Sequence, residues 1–109
     1  MDMNEDFVSF ELAVKLYNKG FDWETEYKYE RNILAQRYED VPMPTISQVL
    51  KWLREEKNIS VEPCATPYNC WYYMIKCKGE IKVTFMDNKY KTYEGAAIAG
   101  IEYTLNNII

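Results

Sequence analysis

The stretch CWYYMIKCKGEIKVTFM, residues 70–86, contains the most strand-prone run of the chain. Its two halves are rich in the aromatic and β-branched residues that strands favour, and Lys78-Gly79 between them suits a two-residue turn. The stretch therefore predicts a β-hairpin with strands over 70–77 and 80–86, whose side chains alternate between two faces. One face carries Trp71, Tyr73, Ile75, Cys77, Ile81, Val83 and Phe85, and the other carries Cys70, Tyr72, Met74, Lys76, Lys82, Thr84 and Met86.

A capped helix and a short strand precede this hairpin. Thr45 and Gln48 have the spacing of a capping box, in which each side chain binds the backbone N–H of the other residue. The apolar residues that follow recur every three or four positions, which predicts a helix from about 46 to 57. Apolar and polar residues then alternate over 59–63, which predicts a strand, and residues 64–69 predict a loop.

A second helix is predicted after the hairpin. Beyond a turn at 87–88, Thr92 can cap a helix over 93–107. This segment is unusually rich in small residues, and Gly95 and Gly100 each cost about 1 kcal/mol in a helix interior. We therefore expect close packing of this helix on the sheet to compensate for the two glycines.

Residues 1–43 predict a helix followed by a strand or hairpin. An apolar stripe runs over 10–19, and Gly20 suits the left-handed residue that ends a helix. Aromatic and charged residues alternate over 23–30, which predicts a strand with one aromatic and one charged face. A return strand over 33–38 follows, and the proline-containing segment after it is expected to be an extended connector.

These elements together predict an α+β protein of one domain, residues 1–109. Its core, residues 44–109, has the order α-β-β-β-α, an antiparallel three-stranded sheet with both helices on one face. Residues 1–43 form an extension of this core.

Histidine is absent from the 109 residues, whereas aromatic residues reach 16%. Without an imidazole the chain has no Ser-His-Asp triad, no Cys-His pair and no two-histidine zinc site. A domain of this size also uses most of its apolar residues in one core, which leaves little for a deep substrate pocket. We therefore expect a protein that is not an enzyme and that holds no cofactor and no metal.

The net charge of -4 is unevenly distributed. Residues 1–43 hold 5 basic and 10 acidic side chains, and residues 44–109 hold 8 basic and 7 acidic ones. The chain therefore lacks the general basic field that attracts nucleic acid, although a local basic patch on the second part stays open.

The three cysteines are Cys64, Cys70 and Cys77, and no two of them have Cys-x-x-Cys spacing. An odd number without this spacing favours reduced thiols over a disulfide framework or a four-ligand zinc site. The acidic first residues lack the apolar segment of a signal peptide, and no apolar run approaches the roughly 18 residues of a membrane span. We therefore expect a cytoplasmic protein that does not contact membranes.

Residues 44–109 resemble the scaffold of a double-stranded-RNA-binding domain. The segment PTISQVL at 44–50, with WL at 52–53, is similar to the opening helix of that family. The hairpin centred on 78–79 lies where the second and third strands of the family do, and residues 96–105 resemble its alanine-rich last helix. The resemblance implies an αβββα fold.

The family's RNA-binding positions match less well. The family places a histidine in the loop between its first two strands and a lysine cluster at the start of its last helix. Here the loop at 65–68 reads ATPY, without histidine, and Glu94 lies in the first turn of the helix. The lysines that a nucleic-acid site could use are Lys78, Lys89 and Lys91. Binding of double-stranded RNA at this basic end is therefore the alternative function, and we do not favour it.

A second resemblance covers more of the chain. The segments SFELA at 9–13, WLRE at 52–55, TYEGA at 92–96 and GI at 100–101 are similar to small uncharacterised proteins of phages and prophages of gut Bacteroidetes. This resemblance implies an intracellular accessory protein of a mobile element and supplies no catalytic residues.

The aromatic residues concentrate in two predicted strands, and two interpretations of them are open. In the first, which we expect, the N-terminal helix and strand cover the second face of the sheet, since tyrosine suits half-buried positions. In the second, that face binds a partner. The residues of such a partner surface are Tyr27, Tyr29, Tyr72, Met74 and Met86. We expect a small, non-enzymatic interaction module with a protein partner, and its oligomeric state stays open.

Overall fold

The computed structural model describes residues 6–34 and 37–109, and the side chains of residues 31–39 and 85–89 are outside that description. The described residues form three helices and two antiparallel sheets, which confirms the α+β class and the α-β-β-β-α order of the core. The helices are α1 (Phe10–Asn18), α2 (Ile46–Glu56) and α3 (Tyr93–Asn107). The strands are β1 (Tyr27–Leu34), β2 (Arg37–Met43), β3 (Ile59–Ala65), β4 (Trp71–Cys77) and β5 (Glu80–Tyr90).

Helix α1 begins and ends where its sequence predicts. The Ser9 hydroxyl accepts a hydrogen bond from the Leu12 N–H at 3.2 Å. At the other end Gly20 has a φ of 98°, and the Phe21 N–H donates to the Leu16 carbonyl at 2.9 Å. This is a Schellman ending, in which a left-handed glycine turns the chain back over the helix end. The side chains of Phe21 and Leu16 are both buried there.

Helix α2 has the predicted capping box. The Gln48 N–H donates to the Thr45 hydroxyl at 3.1 Å, and the Thr45 N–H donates to the Gln48 side-chain oxygen at 2.9 Å. Asn58 ends the helix in a left-handed conformation with a φ of 58°. Its carbonyl accepts from the Lys78 N–H at 3.0 Å, so the end of α2 is held against the turn between β4 and β5.

The three-stranded sheet has the order β3-β4-β5 and contains the hairpin predicted over 70–86. Lys78 and Gly79 both have positive φ, 53° and 85°, which is the type I′ turn that matches the twist of hairpin strands. Strand β3 continues through Ala65, further than predicted, because Pro63 is tolerated in an edge strand. Strand β5 continues to Tyr90, so the predicted turn at 87–88 is wrong.

The first hairpin lies further along the chain than its sequence pattern predicts. Strand β1 begins at Tyr27 rather than at 23, because the buried Thr25 makes side-chain hydrogen bonds that hold the preceding segment in place. Its hydroxyl donates to the Tyr27 carbonyl at 2.6 Å and accepts from the Met43 N–H at 3.3 Å. The return strand is β2 rather than 33–38. It includes Pro42, since both strands of a two-stranded ribbon are edges.

Helix α3 approaches the sheet most closely at Gly100. A Cβ at this position would lie 2.6 Å from Cγ1 of Val61 and 3.2 Å from Cδ1 of Tyr73. Both contacts are shorter than ordinary van der Waals distances, so this position has no room for a side chain. Gly95 has another role, because a Cβ there would meet the Thr92 hydroxyl that caps the helix, at 3.1 Å. The expected close packing is thus found at Gly100.

One apolar core joins the described N-terminal elements to the rest of the chain. Helix α1 packs on β2 and α3, and α2 packs on α3 and β3. Val41 of β2 is fully buried, and the Phe21 ring lies 5.3 Å from the Trp52 ring of α2. The N-terminal elements therefore extend the core from the helical side of the three-stranded sheet.

We predict that Gly100→Ala destabilises the protein. The gain in helix propensity is about 1 kcal/mol, and overpacking against Val61 and Tyr73 costs about 1–3 kcal/mol. Urea unfolding should therefore show a net loss. In a Val61→Ala background the loss should shrink, because the nearest clashing atom is gone. Asn106→Ala, at an exposed α3 position, is the control and should be neutral or stabilising. A stabilising Gly100→Ala in the natural chain would contradict the packing.

Candidate interaction surface

We call the face of the three-stranded sheet that points away from α2 and α3 the outer face. Directly opposed residues of antiparallel strands share a face. The pair Val61–Ile75 is buried beneath the helices, so the alternate pairs belong to the outer face. These pairs are Ser60–Lys76, Glu62–Met74, Cys64–Tyr72 and Met74–Thr84. All of their side chains are at least partly exposed.

A bulge in β5 adds Ile81 to the outer face. Val83 lies opposite Ile75, but the next pair is Ile81 opposite Lys76, so the register skips Lys82. A one-residue bulge interrupts the alternation of side chains between the two faces, so residues on the two sides of the bulge no longer follow one alternating pattern. The prediction that Ile81 shares a face with Val83 is therefore wrong. Ile81 instead lies beside Lys76, and 58% of its surface is exposed.

The expectation that the N-terminal helix and the aromatic strand cover the outer face is also wrong. The described N-terminal elements pack on the opposite, helical side, where α1 contacts α3 and Phe21 contacts Trp52. The physical reason is that Leu16, Phe21 and Val41 become fully buried there. The aromatic strand contributes to this packing as well, since the Tyr29 hydroxyl donates to the Val8 carbonyl at 2.8 Å.

The residues predicted as one partner surface therefore lie in two places. Tyr27 and Tyr29 contact Phe7 and Phe10 at centroid distances of 5.6 Å and 5.5 Å, near the start of α1. Tyr72 and Met74 lie on the outer face. The side chain of Met86 is outside the described residues. The structure places Ile81, which the sequence assigned to the other face, on the same face as Tyr72 and Met74.

A polar network borders these apolar residues. Lys76 Nζ lies 3.4 Å from a Glu62 carboxylate oxygen, and the Ser60 hydroxyl donates to the other oxygen at 2.9 Å. On the same face a hydrogen bond with the Cys64 side chain raises the pKa of Tyr72 above its ordinary value. Negative charge on the Cys64 sulfur and removal of solvent raise that pKa further.

The lysines proposed for nucleic acid do not form one cluster. Lys78 lies in the turn after β4, whereas Lys91 follows Tyr90, which faces Trp71 at the start of β4. The length of the strand separates them, roughly 20 Å at about 3.3 Å per residue. Lys91 is exposed, and the side chain of Lys89 is outside the described residues.

The sequence did not single out two exposed tyrosines near Lys91. Tyr68, in the loop between β3 and β4, is 76% exposed. Tyr93, in the first turn of α3, packs edge-to-face on Trp71 with ring centroids 5.5 Å apart. The pattern that could have identified Tyr68 is its place in the turn-forming sequence Pro67-Tyr68-Asn69, shortly before an aromatic strand.

Cys64, Cys70 and Cys77 are free thiols, each partly exposed. Within the described residues, no group of three or more cysteine, aspartate or glutamate side chains could hold a metal ion. None of the described helices has the length and apolar character needed to cross a membrane. Comparisons with protein-family models, curated proteins and solved structures give no match to this chain.

We predict that Cys64→Ala lowers the pKa of Tyr72. The substitution removes both the hydrogen bond and the negative charge that favour the neutral phenol. A pH titration of the Tyr72 ring carbons by NMR measures this pKa directly. Cys77→Ala is the control and should leave the Tyr72 pKa unchanged, since Cys77 lies opposite Ile59 at the far end of β4. An equal pKa in the natural and Cys64→Ala proteins would contradict the interaction.

Proposed function

We propose that this protein is a small, non-enzymatic interaction module that binds another protein chain through the outer face of its three-stranded sheet. The observation that carries the proposal is the group formed by Tyr72, Met74 and Ile81. All three belong to the face opposite the one that α2 and α3 cover, where Met74 follows Tyr72 along β4 and Ile81 lies opposite the next outer-face residue of β4, Lys76. Ile81 has more than half of its surface exposed, which the core packing does not require.

The composition of the outer face supports this proposal. Protein interfaces are enriched in aromatic residues and methionine at their centre, and charged residues are found at the rim. Tyr72 and Met74 occupy the central strand β4, whereas Glu62 and the exposed Thr84 lie on the flanking strands and Lys76 lies near the end of β4. A surface built on paired strands also loses little conformational freedom when it binds.

The absence of histidine and the free thiols support the rest of the proposal. A chain without an imidazole is less suited to acid–base catalysis near neutral pH, so binding is favoured over catalysis. Three reduced cysteines fit a reducing compartment, and we place the protein in the cytoplasm. The segments at 9–13, 52–55 and 92–96 are the basis for proposing a phage or prophage origin.

Photo-crosslinking in cells tests the proposed surface. A photoreactive phenylalanine analogue at position 81 or 74 should form a crosslinked product. The same group at Tyr27 is the matched control, because Tyr27 is 53% exposed but lies near α1. A crosslinked product from position 81 that disappears with Met74→Asp supports the proposal. The mass of the crosslinked product shows whether the partner is a second copy of this chain or another protein. Equal products from 81 and 27, or a product from 27 alone, would contradict it.

Binding of double-stranded RNA is a second candidate, favoured by one observation. Exposed Tyr68, Tyr93 and Lys91 lie at the same end of the sheet, where the loop after β3 and the start of α3 meet. The resemblance of residues 44–109 to an RNA-binding scaffold points to that end as well. Glu94 in the first turn of α3 opposes binding of phosphate there.

A gel-shift assay with duplex RNA at low salt tests the second candidate. If this end binds phosphates, Lys91→Gln should weaken binding and reduce its salt dependence by about one counterion. Lys78→Gln, at the other end of β4, is the control and should have no effect. Unchanged RNA mobility at high protein concentration would exclude this function.

A further inference from the structure

A cleft opens at the end of the sheet where α2, β3 and the turn between β4 and β5 meet. It encloses about 430 Å³, counting the space open to solvent. Its lining comes from elements that are far apart in the chain but are joined by the Lys78–Asn58 backbone hydrogen bond. The lining residues are Arg54, Asn58, Ile59, Ser60, Lys76 and Gly79.

The charged lining residues are both cations. Arg54, in the last turn of α2, is exposed and forms no ion pair with an acidic side chain among the described residues. Lys76 has one neighbouring acid, Glu62, at 3.4 Å. An arginine without an acidic partner in the described part of the chain, together with a lysine at the same cleft, favours an anion as the ligand, since a guanidinium presents paired N–H donors to two oxygens.

The cleft suits a carboxylate better than a phosphate. Of the two charged lining residues, Lys76 already has the Glu62 carboxylate beside it, so its charge is partly neutralised and Arg54 supplies most of the positive charge of the lining. The C-terminal end of α2 also contributes partial negative charge at this place. A dianion is therefore disfavoured relative to a monoanion. The Ile59 side chain and the methylene stems of Arg54 and Lys76 provide apolar walls for a short aliphatic chain.

The cleft is continuous with the outer face. Ser60 and Lys76 line the cleft and are also an opposed pair of the outer face, and Ile81 lies opposite Lys76. A chain bound over Met74 and Ile81 would therefore place its next side chain at the cleft. We propose that the cleft is a carboxylate-binding site, and that it receives an acidic side chain of the protein that binds the outer face. The second part rests on the proposed function.

Amide NMR shifts of the full chain test the site without knowledge of the partner. The probe is N-acetylglutamate amide, and its matched control is the neutral N-acetylglutamine amide. The glutamate probe should give saturable shifts at Asn58, Ser60, Lys76 and Gly79, with a dissociation constant on the order of millimolar. The glutamine control should not do so. Linear, unsaturated shifts with both compounds, or tighter binding of inorganic phosphate, would overturn the site.

Two substitutions with opposite expected effects separate binding from structural disturbance. Arg54→Gln should weaken binding of the glutamate probe by about threefold to tenfold, since the substitution removes the guanidinium. Glu62→Gln should tighten binding of the same probe by a similar factor, because Lys76 loses its competing carboxylate. A merely damaged fold would weaken binding in both variants. Weakening by Glu62→Gln would therefore overturn the proposal.

The crosslinking experiment separates the two parts of the proposal. If Arg54→Gln reduces the crosslinked product from position 81, the acidic side chain belongs to the partner. If the product from 81 is unchanged while the glutamate probe no longer binds, the proposed function stands and the role of the cleft in partner binding is wrong. If the probe binds but position 81 gives no product, the cleft takes a free carboxylate and the proposed function fails.

Discussion

The close approach of α3 to the three-stranded sheet at Gly100 determines the rest of the structure. The helix backbone lies so near Val61 and Tyr73 that no side chain fits between them. The buried Thr104 hydroxyl donates to the Gly100 carbonyl at 2.8 Å, which satisfies a polar group that the same packing removes from water. Because of this contact, the helices cover one face of the sheet. The other face is thereby available for binding.

The N-terminal elements follow from the same constraint. Because α2 and α3 present their remaining apolar surface on the side away from the sheet, α1 packs on α3 there and Phe21 packs on Trp52, while β2 packs on α1 with Val41 buried. Their apolar residues stabilise the core instead of shielding the outer face. The many aromatic residues of the chain therefore lie in two places. Some pack between the first hairpin and α1, and others, such as Tyr72, lie on the three-stranded sheet.

The parts of the fold that depend on neighbouring residues could be predicted from sequence. The capping box at Thr45, the Schellman ending at Gly20 and the turn at Gly79 each involve a few adjacent residues. The bulge that exposes Ile81 could not be predicted, because strand register depends on the partner strand. Arg54 and Lys76 likewise line one cleft only because of tertiary packing. The packing of α1 on the helical side also could not be predicted, because it depends on how much apolar surface each side of the folded core offers.

Solvent access to the outer face can be measured directly by NMR. In a protein with labelled methyl groups, a soluble gadolinium chelate enhances the relaxation of methyls in proportion to their exposure. We expect strong enhancement for Met74 and Ile81 and very little for Ile75 and Ile101, which are fully buried. Protection of Met74 and Ile81 equal to that of Ile75 would show that the outer face is covered and would contradict the central claim.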